Sequence, residues 1–204
     1  MINGILNVYK EAGYTSHDVV AKLRGICRQK KIGHTGTLDP DAVGVLPVCL
    51  GNATRLCDML TDKSKEYEAV LLLGKVTDTQ DISGKVLEEH PVLMEEEQAV
   101  EAVLSFLGSY EQIPPMYSAL KVNGKKLYEL ARAGKEVERA GRPVEIHRID
   151  ILSVALPEIT FRVACSKGTY IRTLCYDIGE KLGCLGCMEH LTRTRVGRFE
   201  WKDA

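Results

Sequence analysis

Two aspartates stand two residues apart, Asp39 and Asp41, in the segment "GHTGTLDPDAVGVLPVCLGNATRL" from Gly33 to Leu56. A carboxylate can attack a sugar carbon as a nucleophile or take a proton as a base, and a pair can divide acid and base work at a glycosidic bond. Gly33, Gly36 and Gly44 would let the backbone approach a nucleic acid closely in conformations closed to other residues. An isolated "LDPD" reads more readily as a tight turn with a solvated aspartate, because Asp and Pro are common turn formers. Other constellations fail on spacing. Cys184 and Cys187 form C-x-x-C, but no second Cys or His pair stands at zinc-finger distance. Neither a G-x-x-x-x-G-K-[ST] loop nor a G-x-G-x-x-G fingerprint occurs, so no metal and no cofactor are expected.

The elements that must carry these residues follow from periodicity. "TSHDVVAKLRGICRQKK" predicts a helix with Ser16 as N-cap, Val19, Val20, Leu23, Ile26 and Cys27 at helical spacing, and cations at its negative end. A glycine-rich loop follows. "KEYEAVLLLGKV" and "GKVLEEHP" predict two strands joined across Asp81 to Gly84, and a second helix is expected from about Glu95 to Leu107, with Val100, Val103, Leu104 and Leu107 on one face. After Pro114 and Pro115 a basic stretch carries only a short helical pattern around Leu127 to Ala131, and it reads as an insertion. "VEIHRIDILSVAL" and "EITFRVACS" are two more strands, and "GTYIRTLCYDIGEKLG" is a helix burying Ile171, Leu174, Ile178 and Leu182. Strands and helices mix without a regular βαβ repeat, so the class is α+β.

The chain has 204 residues, 45% of them hydrophobic and 27% charged, which suits one domain with a sizeable core. No run of eighteen apolar residues could span a bilayer, and "MINGILNVYKEAG" lacks the pattern of a secretory signal, so a cytoplasmic protein with reduced cysteines is expected. The net charge of −1 hides segregation. From Thr77 to Glu101 eight acids face Lys85 alone, and that segment should turn away from a polyanion. From Ile113 to Arg148 eight bases face four acids, and Arg193, Arg195 and Arg198 add an uncompensated cluster; a locally basic surface suits a phosphate backbone. Charge alone leaves solvated surface an equal reading.

Four separated blocks then narrow the choice. "GHTGTLDPDAVGVLPVCLGNATRL", "KEYEAVLLLGKVTDTQDISGKV", "QIPPMYSALKVNGKKLYELARAG" and "CSKGTYIRTLCYDIGEKLG", in this order, resemble the bacterial tRNA pseudouridine-55 synthase family over nearly the whole chain. The resemblance implies a pseudouridine synthase fold, a mixed and largely antiparallel sheet with flanking helices and a central catalytic cleft. It implies an RNA-modifying isomerase that detaches a uracil from its ribose, turns it, and rejoins it through carbon at position 55 of the tRNA T-arm. The base must first be flipped out of the stack.

Residue by residue, Asp39 matches the catalytic aspartate, acting at C1′ as a nucleophile or at C2′ as a base, and Asp41 is left as a solvent-facing or loop-stabilising residue. His34 matches the histidine that contacts the substrate loop, where an imidazole fills the gap left by the extruded base. Tyr67 matches the tyrosine lying against the flipped base, although on periodicity alone a core aromatic on a strand is a strong rival. Tyr170 matches a substrate-contacting tyrosine, and Arg172 the arginine that grips the catalytic aspartate with two parallel hydrogen bonds. Leu191 matches an apolar position near the uracil. Lys10 matches an RNA-contacting lysine, here in "YKEAG", where Tyr9 and Glu11 replace the usual flanking residues.

The resemblance further implies a catalytic domain over 1–204 with a basic RNA-clamping insertion at about 113–142; the sequence departs from the family's pattern in that the usual C-terminal RNA-binding domain is expected to be absent. The expected partner is the T-arm stem-loop of tRNA, met by a monomer with no guide RNA, no obligatory protein partner and no membrane. The guide-RNA-dependent synthases of archaea and eukaryotes share the catalytic block, but the intact "PPMYSALKVNGKKLYELARAG" favours the stand-alone type. A non-catalytic RNA-folding protein is the alternative from another class.

Overall fold

The structure is a computed structural model that describes residues 1–122 and 124–204; Asn123, inside the third quoted block and the expected insertion, lies outside the described residues. The chain runs through β1 (Gly4–Lys10), α1 (Ser16–Cys27), β2 (Ile32–His34), β3 (Val43–Leu50), a 3₁₀ segment (Gly51–Leu56), α2 (Cys57–Thr61), β4 (Lys65–Leu73), β5 (Lys75–Thr77), β6 (Val86–Glu89) and α3 (Glu96–Leu104). It continues through β7 (Gly108–Gln112), β8 (Lys121–Val122), β9 (Lys125–Lys126), α4 (Leu127–Arg132), β10 (Arg142–Ala155), β11 (Glu158–Cys165), α5 (Ile171–Leu182), β12 (Gly186–Val196) and β13 (Phe199–Glu200). The α+β class is as expected.

Two compact units divide the chain. One comprises Met1–Glu68, Arg162–Lys167 and His190–Ala204, the other Ala69–Phe161 and Gly168–Glu189. In the first unit the whole of β1 pairs antiparallel with β3, from Gly4 opposite Leu50 to Lys10 opposite Gly44. β2 is also antiparallel to β3, while β12 meets β3 in parallel at Thr192 and Arg193. Val20, Ile32, Leu46, Val48 and Leu50 form a buried cluster, and Val19, Leu23 and Cys27 of α1 pack on it. That is the apolar stripe read from the helical spacing. Ile26, counted in the same stripe, is instead 76% exposed.

The start of α1 differs by one residue from expectation. Thr15 is the N-cap, its hydroxyl accepting from the Asp18 N–H at 3.1 Å while the Asp18 carboxylate accepts from the Thr15 N–H at 2.8 Å. This reciprocal box frees Ser16 for another task. Ser16 is buried, and its hydroxyl accepts from the Leu38 N–H at 2.9 Å and donates to the Leu38 carbonyl at 3.3 Å.

β3 lies inside what was expected to be loop. Val43–Leu50 is buried almost throughout, so it shows no alternation of apolar and polar residues. Gly44 has φ +110°, and a Cβ there would stand 2.2 Å from the carbonyl oxygen of Arg193, so only glycine permits this approach of β3 and β12.

In the second unit β10 pairs antiparallel with β7, Arg142 opposite Gln112 and Ile146 opposite Gly108. The expected long first strand of the hairpin breaks at Gly74, whose φ is +84°, so β4 stops at Leu73 and β5 pairs separately with β6. α3 begins with Glu95 as N-cap, answered by Gln98, and stops at Leu104; Leu104 and Leu107 are exposed, and the buried face is Ala99, Ala102 and Val103. In the expected insertion β8 and β9 form a two-residue ladder, and α4 anchors there through Leu127, which is buried. All seven cysteines are free thiols. No helix among the described residues is long and apolar enough to cross a membrane.

Candidate active site

The loop that carries Asp39 connects β2 to β3 and is fixed from several sides. Ser16 holds both main-chain groups of Leu38, and the Ala42 N–H donates to the Asp39 carbonyl at 3.2 Å. Lys10 closes the far end. Its ammonium donates to the carbonyls of Tyr14 at 2.6 Å, Pro40 at 2.9 Å and Glu11 at 3.0 Å, which uses all three of its protons. Lys10 is completely buried, so in this structure it organises the Asp39 loop and does not present a free cation to RNA, the role the resemblance gave it. Burial lowers its pKa, and the nearby charges of Asp39 and Asp41 partly oppose that. Asp41 is exposed, as a solvent-facing loop residue should be.

Arg193 is the residue that sequence reasoning missed. It was counted with Arg195 and Arg198 as a surface cluster, yet it is 1% exposed. Its guanidinium donates to the carbonyls of Val45 (2.8 Å), Gly36 (3.2 Å) and Thr37 (3.4 Å), and to the Tyr67 hydroxyl. It therefore ties the stem of the Asp39 loop to the β4 tyrosine. Arg195 pairs with Glu66 at 3.5 Å, leaving Arg198 exposed over the Phe199 ring. The signal available in sequence was the period-2 position of Arg193 relative to Leu191, which is also buried on β12.

Tyr67 occupies an inward position of β4, where burial alternates strictly along the strand. It is 7% exposed, and burial pushes its hydroxyl pKa up to about 12, against the opposing charge of Arg193. The phenol is thus neutral and lies within the electrostatic reach of Asp39. Lys65, two residues before it, is a further buried cation; its ammonium donates to the carbonyls of Thr61 and Lys63 at 2.8 and 3.0 Å, and burial, with Arg193 next, brings its pKa down to about 8.

His34 ends β2, five residues before Asp39. Its Nδ1 accepts from the Gly36 N–H at 3.3 Å, and its ring meets His17 edge-on at 5.2 Å. Burial first, then the charges of His17 and Arg193, lower its pKa, so the neutral imidazole prevails at pH 7. The ring borders an open groove of about 500 Å³, lined also by Arg24, Lys30 and Lys31.

The second unit holds Tyr170 and Arg172. Tyr170 is the N-cap of α5, and Arg172 lies in its first turn. Arg172 is 6% exposed, not a surface arginine; it donates to the carbonyls of Tyr117 at 2.8 Å and Thr79 at 3.1 Å, and it pairs with Asp81 at 3.4 Å. Asp81, counted among the acids expected to turn away from a polyanion, has a side chain only 15% exposed and faces this arginine. The structure thus gathers Asp39, Lys10, Tyr67, His34 and Leu191 in the first unit and Tyr170 and Arg172 in the second.

Of the cations in the basic insertion, Lys121, Lys125 and Arg132 are exposed, and Lys126 and Arg132 both approach the Tyr128 ring, at 5.3 and 5.4 Å. Among the described residues no group of three His, Cys, Asp or Glu side chains is placed to hold a metal ion.

Several known proteins with similar sequences share a name. The chain is 63% identical to the tRNA pseudouridine synthase B of Lachnoclostridium phytofermentans, over 97% of this chain and 67% of that protein. It is 55% identical to the protein of the same name from Streptococcus pneumoniae serotype 4, over 100% of this chain and 72% of that protein. Among solved structures, a chain of a Cbf5-Nop10-Gar1 complex superposes with a TM-score of 0.76 at 34% identity, and one of an H/ACA RNP bound to a substrate RNA containing 2′-deoxyuridine with 0.72 at 31%. Each match covers 97% of this chain, which spans about half the length of those chains, 50% and 48%. Residues 172–204 match the tRNA pseudouridylate synthase B C-terminal domain, and residues 24–171 match the TruB family pseudouridylate synthase N-terminal domain. With most of its length accounted for in this way, the chain belongs to the TruB family of pseudouridylate synthases.

Proposed function

We propose that this protein isomerises a uridine to pseudouridine in the T-arm of tRNA, at position 55, with Asp39 supplying the carboxylate at the ribose of a flipped-out nucleotide. The observation that carries the reading is the fixation of the Asp39 loop. Ser16, Lys10 and Arg193 hold its main chain on three sides, far more than a solvated turn requires. The relatives' names supply the substrate class. In this reading the neutral Tyr67 phenol lies against the base, the neutral His34 ring fills the vacated stack, Leu191 lines the uracil site, and Tyr170 contacts the substrate. Arg172 belongs to the active-site support. Lys121, Lys125 and Arg132 of the segment 113–142 lie against phosphates. The reaction moves one bond from nitrogen to carbon and leaves the atom count unchanged, so it draws on no redox partner. The enzyme acts as a monomer in the cytoplasm, without guide RNA.

The test is single-turnover pseudouridine formation on an unmodified T-arm stem-loop transcript, with purified protein alone. Wild type should convert it, and Asp39→Asn should lose more than about a thousandfold in rate while retaining RNA binding. A variant that still forms pseudouridine at more than a trace removes Asp39 from the chemistry. A wild type that binds the stem-loop without converting it points to the non-catalytic RNA-folding alternative.

A further inference from the structure

Gln112, the last residue of β7, is polar and 1% exposed. Its side-chain amide lies along the main chain of Tyr170, which is 58 residues away in sequence. Oε1 accepts from the Tyr170 N–H at 2.8 Å, and Nε2 donates to the Tyr170 carbonyl at 3.1 Å. Two bonds to one residue reproduce, with a side chain, the pairing that a neighbouring strand would give. Tyr170 needs it. It stands at the N-cap of α5 with φ −98° and ψ 110°, has no side-chain cap, and is where the chain turns from extended to helical.

An amide can point either way, and here its direction is specified. The second Nε2 proton donates to the Tyr110 hydroxyl at 2.5 Å, and that hydroxyl is hydrogen-bonded in turn to the Asp177 carboxylate on α5. An ionised carboxylate only accepts, so the Tyr110 proton turns toward Asp177 and a lone pair faces Gln112. Reversing the amide would set its oxygen against the Tyr170 carbonyl and its NH₂ against the Tyr170 N–H, two repulsive contacts in a buried place.

We propose that Gln112 is a positioning residue for the reaction: its amide, oriented by Tyr110 and Asp177, sets the direction in which the Tyr170 ring leaves the main chain toward the substrate. This rests on the reading of Tyr170 as a substrate contact. Gln112 touches no reacting atom and acts through the Tyr170 main chain alone.

The experiment is single-turnover pseudouridine formation on the T-arm transcript, with RNA affinity and thermal melting measured in parallel. Gln112→Glu keeps the shape and the acceptor but loses both donors, and Gln112→Leu loses everything polar. Both should fall about 10- to 100-fold in rate, the scale of a misplacement near 1 Å, with RNA affinity changed less than about threefold. Tyr110→Phe keeps the ring and frees the amide to turn, so it should show a smaller fall in rate with an intact fold. The decisive arm is the Tyr170→Ala background, in which Gln112→Glu should cost no further rate. A wild-type rate in both Gln112→Glu and Tyr110→Phe overturns the proposal. An undiminished loss in the Tyr170→Ala background also overturns it, by showing that Gln112 only supports the fold. Full activity of Tyr170→Ala by itself instead overturns the assignment of Tyr170 as a substrate contact, and this proposal with it.

Discussion

Arg193 and Arg172 are both buried guanidiniums, and their surroundings differ. Arg172 has a carboxylate, Asp81, beside two main-chain carbonyls. Arg193 has three carbonyls and the Tyr67 hydroxyl. Lys10 and Lys65 resemble Arg193 in being satisfied by carbonyls, and Arg193 contributes to lowering the pKa of each. Burying a cation against neutral dipoles costs desolvation that no opposite charge fully returns. The first unit therefore carries three buried cations, of which Lys10 and Arg193 bond the loop that holds Asp39. Lys10 and Arg193 stabilise the loop through hydrogen bonds, and the three cations leave a positive field there, suited to a carboxylate and to the sugar-phosphate of a substrate. The second unit neutralises its arginine and holds Tyr170 with an uncharged amide. One region invests in charge, the other in direction.

This contrast can be broken experimentally, most forcefully at Arg193. Arg193→Met fills similar space but leaves three buried carbonyls and the Tyr67 hydroxyl without their donor, so stability should fall by about 3–5 kcal/mol in urea unfolding. Pseudouridine formation should be lost wherever the variant remains folded. A loss under about 1 kcal/mol would mean that water replaces the guanidinium and that the loop is not clamped by it.

Arg172→Lys probes the other side. The charge stays and the planar fork is lost, and a lysine can satisfy only part of the set of Tyr117, Thr79 and Asp81. Stability should drop by only about 1–2 kcal/mol, with a rate loss of roughly a hundredfold. An unchanged rate would reduce Arg172 to a structural ion pair with Asp81.

The third expected effect, on stability alone, is a pH dependence. Lys65 titrates near 8 in the folded protein against an ordinary value of 10.5. Between those values the unfolded chain holds the proton more tightly, so folding stability rises with pH across that window, and below about pH 8 the cost of the buried ammonium is fully present. Comparing wild type with Lys65→Met isolates this contribution. Wild type should gain on the variant by about 2 kcal/mol between pH 8 and 10.5, and a flat difference would show that Lys65 stays solvated.

Legibility of the fold followed periodicity. α1, α5, β4, β10 and β11 carry patterns of 3.6 or 2 and were expected in place. β3 is buried along nearly its whole length and has no pattern to read, and Pro47 inside it argues against a strand. Asp39, Tyr67, Tyr170 and Arg172 were named through four blocks in register, which spacing alone could not have supplied. The burial of Lys10 and Arg193 was not legible, for one physical reason. A cation can be buried where main-chain carbonyls converge, and those carbonyls belong to Pro40, Gly36 and Thr37, on a loop whose shape no local rule states.

The reach of Arg193 also orders events during synthesis. Its bonds to Gly36 and Thr37 span 157 and 156 positions of sequence. Asp39 leaves the ribosome well before the donor that ties down its loop, which arrives only with β12. A nascent chain therefore carries the Asp39 loop unclamped until β12 has been made, and the loop takes its final geometry only then.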